Sequence, residues 1–116
     1  GSPAMNLISG AITKGVFAAE NVRIEGLAAA DGPVTLGFRA EDASVGDAGG
    51  TGINAPIYAL ELLGDATMVT VRIGGELVAV RAPKDFRAGI GEPVSLSVPL
   101  EICHLFDADT GVRIGA

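Results

Sequence analysis

Tryptophan is absent, and cysteine and histidine occur once each, as Cys103 and His104. A single thiol excludes an internal disulfide, and a single imidazole excludes a multi-histidine zinc site, since adjacent Cys103 and His104 supply only two of the ligands a tetrahedral ion needs. The pair is equally unsuited to nucleophile and base, because neighbours on a strand point to opposite faces. A hydrogen-bonded structural role is expected for His104. Lysine is nearly as scarce. Lys14 stands between Thr13 and Gly15, and Lys84 between Pro83 and Asp85, so neither completes the Gly-Lys-Ser/Thr loop that cradles nucleotide phosphates, and ATP hydrolysis by these residues is excluded. No apolar run approaches the roughly 18 residues of a membrane span, and no charged segment leads into an apolar one at the start. A cytoplasmic protein without direct membrane insertion is expected.

Positive charge is also short: 8 basic against 14 acidic residues give a net charge of -6. Such a surface repels phosphate backbones, so nucleic acid is not an expected partner. Aromatic residues make up only 4% of the chain, as Phe17, Phe38, Tyr58, Phe86 and Phe106, which leaves few stacking platforms and requires an aliphatic core.

Against these shortages stand 48% hydrophobic residues, 17 glycines and 6 prolines. Breakers spread along the chain without a repeating triplet divide it into many short elements, which favours strands over long helices. Leu7 to Thr13 reads as a strand, followed after Lys14-Gly15 by Val16-Phe17 and Val22 to Ile24 as a hairpin. Ala28 to Pro33 is turn material. Val34, Leu36 and Phe38 alternate with Thr35, Gly37 and Arg39 at the period that buries one face. Ile57 to Leu63, Thr67 to Ile73 and Glu76 to Ala82 form a meander whose second turn, Gly74-Gly75, suits a primed hairpin geometry. Val94, Leu96 and Val98 mark a further strand, and the turn Asp107 to Gly111 allows Val112 to Ile114 to pair back. The segment 44–52, with little to bury, is expected to be a loop joining two sub-lobes.

Chemical motifs are weak. No helix follows the glycines of 46–52 to hold an anion, and Asp107, Asp109 and Gly111 misplace the glycine of a calcium loop and lack its distal glutamate. Glu41 and Asp42, in a turn beside Arg39, read as a local charge network rather than an acid/base pair. No catalytic, cofactor or metal residue is therefore expected.

Several segments together resemble one family across nearly the whole chain. They are Gly1 to Asn6, Gly37-Phe38-Arg39-Ala40-Glu41-Asp42, Leu60 to Thr67, and Pro99 to Phe106 with the turn after it. The sequence is similar to the C-terminal domain of the ATP-binding subunits of carbohydrate-type ABC importers, typified by the maltose transporter ATPase. It departs from the family at Ala40, where proline is usual. The resemblance implies an all-β, OB-like barrel (a transport-associated OB domain) with Greek-key and meander strands and no long helix. Residues 1–6 would be the junction from an upstream ATPase domain and 7–116 the regulatory domain. It further implies a homodimer through this domain, membrane subunits reached through the ATPase domain, and contact with a regulatory protein. ATP and Mg would be held only by the ATPase domain. Arg39, Glu41, Asp42, His104 and Phe106 are the candidate contact residues. A module binding a small oxyanion or sugar is the alternative, although the tandem repeat and Ser-Ala-Arg-Asn start of such modules are missing.

Overall fold

The computed structural model describes residues 5–46 and 51–114, and it contains strands and two short 3-10 turns. The strands are β1 (Asn6–Thr13), β2 (Val16–Ala19), β3 (Val22–Ile24), β4 (Gly32–Phe38), β5 (Ser44–Val45), β6 (Gly52–Leu63), β7 (Ala66–Ile73), β8 (Glu76–Pro83), β9 (Pro93–Ser97), β10 (His104–Asp107) and β11 (Arg113–Ile114). The 3-10 turns cover Ala40–Asp42 and Leu100–Ile102. All pairings are antiparallel, in the order β11-β10-β4-β1-β2-β3-β6-β7-β8, with β9 beside β6 and β5 beside β9.

Local chemistry explains the turns. Thr13 pairs with Val16 across Lys14 and Gly15, both at positive φ (51° and 78°), the primed turn that follows the natural twist of a two-stranded ribbon. Asn21, at φ 63°, supplies the left-handed residue between β2 and β3. The expected meander is present as β6, β7 and β8, with Gly74 at φ 59° between Ile73 and Glu76.

Alternation sends Ile8 and Ile12 of β1, Leu36 and Phe38 of β4, Val69 and Val71 of β7, and Val78 and Val80 of β8 into one core. Phe17 and Phe38 are fully buried among side chains that are otherwise mostly aliphatic. Both halves of the chain contribute to this cluster, so the expected sub-lobes share a single interior. Burying one such side chain stabilises by about 1.5–3 kcal/mol.

Three boundaries differ from expectation: Gly32 and Pro33, anticipated in a turn, already pair with Ile12 and Ala11 as the start of β4. Asn6, the last residue of the anticipated junction, opens β1 opposite Phe38; residues 1–4 lie outside the described residues. The anticipated 44–52 loop is narrower: Ser44 and Val45 pair with Ser97 and Leu96, and Gly52 starts the longest strand. Residues 47–50 are not described. Gly52 belongs in the sheet because it combines φ 124° with a backbone approach so close that any Cβ would collide with the carbonyl oxygen of Leu96.

β6 organises the whole. Its first half pairs with β3 through Ile53 and with β9 from Ile53 to Pro56, while its second half pairs with β7. A bulge at Tyr58, just after the first β7 pair (Ile57 with Val71), changes the inward phase from Ile53, Ala55 and Ile57 to Leu60.

The curled sheet returns on itself where β8 meets β1. No backbone ladder joins these strands among the described residues. Instead Asn6 reaches Ala79, its Nδ2 donating to the carbonyl at 2.7 Å and its Oδ1 accepting from the amide at 3.0 Å. Ser9 N–H donates to Glu76 Oε1 at 3.1 Å, and Gly74 N–H to Glu20 Oε2 at 2.6 Å. Replacing Asn6 with alanine leaves both Ala79 backbone groups without these partners and lowers the unfolding free energy in urea titration by about 1–3 kcal/mol. Ser9→Ala keeps its backbone donor and stays within about 0.5 kcal/mol of the parent.

Candidate functional site

The candidate contact residues fall on two separate surfaces. Arg39 precedes the 3-10 turn, which is closed by Asp42 N–H donating to Arg39 O at 3.1 Å. Ala40 is buried beneath that turn, in the place where the resemblance anticipated proline, and it anchors the turn through its small apolar side chain. Arg39, Glu41 and Asp42 all face solvent. The charge network expected among them is not formed: the ion pairs among the described residues are Arg23–Glu25 and Arg81–Asp65. All three stand exposed on or beside a tight turn, where charges in water gain little by converging. Glu41 lines a depression of 370 Å³ with Ala40, Leu63, Met68 and Arg81, against the end of the meander.

His104 and Phe106 sit elsewhere, on the outer face of β10. His104 pairs in register with Gly37 and Phe106 with Thr35, while on the other side Phe106 lies opposite Arg113. Arg113 Nη2 donates to His104 Nδ1 at 2.8 Å. Because arginine can only donate, Nδ1 is the accepting nitrogen and the imidazole proton resides on Nε2. His104 is thus the hydrogen-bonded residue expected. Phe106 lines a depression of 340 Å³ with Leu7, Thr35, Asp107, Ala108 and Gly111.

The turn after Phe106 is held by Asp107, whose Oδ1 accepts from the amides of Asp109 and Thr110, each at 2.9 Å. These amides, Thr110 first and Asp109 second, draw the Asp107 carboxyl below the ordinary carboxylate range. What the sequence offered as a faint calcium loop is therefore an Asx-type turn, with its carboxylate already engaged. Among the described residues no group of three or more His, Cys, Asp or Glu side chains is arranged to hold a metal ion.

Reading the sequence alone missed Leu7 and Arg113, which complete the Phe106 surface. The signal lay in pairing: once the Asp107–Gly111 turn closes a hairpin, Arg113 must stand opposite Phe106, but the return strand has only two residues to announce it.

Short antiparallel strands curled around a largely aliphatic core define an all-β domain. Residues 1–43 match the family model of the MalK OB fold domain. Over 98% of its length the chain is 33% identical to the putative uncharacterized ABC transporter ATP-binding protein YcjV of Escherichia coli K12, covering 34% of that protein. It is likewise 35% identical over 98% of its length to the sn-glycerol-3-phosphate import ATP-binding protein UgpC of Ruegeria sp. strain TM1040, covering 33% of it, and 33% identical to UgpC of Jannaschia sp. strain CCS1 with equal coverage. The chain is thus similar over nearly all of its length to ABC transporter ATP-binding proteins, and it spans about a third of the length of the curated relatives it matches.

Cys103, just before β10, is half-buried against the core, its thiol 3.4 Å from the carbonyl oxygen of Pro99. Burial, and then the Glu101 carboxylate, push its pKa up to about 11 from an ordinary 9.0. Iodoacetamide at pH 8 therefore modifies the folded chain about a hundredfold more slowly than the urea-unfolded chain, in proportion to thiolate content. Because the folded value is raised, this thiol's contribution to stability is complete below pH 9 and is lost as the pH climbs through about 11. A Cys103→Ala variant loses that alkaline dependence in pH-resolved urea titrations.

Proposed function

We propose that the chain is the C-terminal regulatory and dimerisation domain of the ATP-binding subunit of an ABC importer for sugars or sugar derivatives. The observation that carries this reading is a match that runs along 98% of the chain but occupies only a third of each ATP-binding relative. The phosphate loop is missing from the sequence, so ATP and Mg belong to another part of the parent protein, which engages the membrane subunits at the cytoplasmic face of the membrane.

The physical role is tethering. When one pair of domains stays in contact, reassociation of the ATPase faces becomes intramolecular, and effective concentration rises without locking the closed state. A domain of this kind needs a rigid body and contact surfaces rather than a pocket. The closed core and the two exposed surfaces around Glu41 and Phe106 support that reading. A regulatory partner would use whichever surface the self-contact leaves open.

Sedimentation velocity from low micromolar to near-millimolar protein tests the proposal. A reversible monomer–dimer transition is expected, and a monomer at every concentration overturns the tethering role.

A further inference from the structure

Gly37 is a gap on the outer face of the sheet, and its neighbours close over it. A Cβ there would stand 2.6 Å from Met5 Sδ, 3.0 Å from Phe106 Cε2 and 3.1 Å from Leu7 Cδ2. The result is an apolar patch of Met5, Leu7 and Phe106 that passes into the 340 Å³ depression, with 47% of Leu7 still exposed. Singly exposed leucines are ordinary, but an apolar cluster beside a fixed charge is not.

That charge is Arg113, opposite Phe106 in the β10–β11 pair. Arginines held in place on a protein surface are commonly held by carboxylates, which cancel their charge. Here the holder is a neutral imidazole: the 2.8 Å bond to His104 Nδ1 orients the guanidinium without neutralising it. Neither ion pair among the described residues includes Arg113. The carboxylate of the adjoining turn, Asp107, is committed to two backbone amides. The remaining guanidinium donors keep the fork geometry that receives a carboxylate in two parallel bonds.

We infer that this face is a docking site for a protein segment carrying a carboxylate beside an apolar side chain, with Arg113 receiving the carboxylate and Leu7 and Phe106 the apolar group. The inference rests on the proposed role only in taking the domain to offer a regulatory contact surface. The net charge of -6 does not oppose it at contact range, because charges more than about 8–10 Å away are screened at physiological salt. It disfavours broadly acidic partners and selects a short segment that places its carboxylate at Arg113. Arginine and aromatic side chains are also the residues that most often dominate interface energetics.

The test titrates the isotope-labelled 116-residue chain with 3-phenylpropionate, with its neutral analogue 3-phenylpropanamide, and with inorganic phosphate, followed by NMR. The expected result is joint movement of the Leu7 methyl, Arg113 Nε–H and His104 ring signals with 3-phenylpropionate, at an affinity about tenfold above the amide. Arg113→Gln is expected to erase the difference between acid and amide while Leu7 still responds to both. Arg113→Lys, which keeps the charge, is expected to retain part of it, separating recognition from a loss of fold. Equal binding of acid and amide to the parent chain overturns the inference. So does phosphate binding as tightly as 3-phenylpropionate without moving Leu7, which would mark a bare anion contact.

Sedimentation of Phe106→Ser distinguishes the occupant. Unchanged self-association supports a separate partner, whereas loss of a dimer formed by the parent chain assigns the face to a second copy and overturns the inference. A parent chain that is monomeric throughout removes the tethering role and leaves the docking result standing.

Discussion

The side-chain amide of Asn6 does the work of a strand. A carboxamide presents one donor and one acceptor, the same complement that a residue of a neighbouring strand would offer to Ala79, and it satisfies both of Ala79's backbone groups at the seam between β1 and β8. Glu76 and Glu20 extend the closure by accepting from Ser9 and Gly74 amides. The 3-10 turn at Ala40–Asp42 and β5 pack on β8 as well. An open edge here would expose unpaired backbone to other chains. The seam turns a long sheet into a closed wall around one interior, and every outward surface depends on that wall for its shape.

This dependence explains how much was legible from residues alone. The meander and the buried rows Val34-Leu36-Phe38 and Val94-Leu96-Val98 were readable because period-two alternation in β-branched and aliphatic residues has few other solutions. Their glycine turns were readable for the same local reasons. The seam was not, because Asn6 lies 73 positions from Ala79 and nothing local marks an asparagine as a strand substitute. Gly52 misled in the opposite direction. Glycine-rich composition suggests a loop, yet here the missing Cβ is what admits the backbone of β9. The bulge at Tyr58 was hidden within a run that reads as uninterrupted strand.

The candidate residues were legible in kind but not in arrangement. Sequence grouped Arg39, Glu41 and Asp42 by adjacency, and the tight turn splays them into solvent. The resemblance named His104 and Phe106, and β10 sets both on its outer face, but the arginine that bonds His104 comes from across the hairpin. The outward chemistry of the domain lies in surfaces assembled between strands.

The continuity of β6 has a further consequence. One strand carries ladders to β3, β9 and β7 without a break in the chain, so there is no segment at which the early and late parts of the sequence can swing apart as bodies. Slow amide exchange in this domain should follow a single global opening, with the centre of that strand as its last protected stretch.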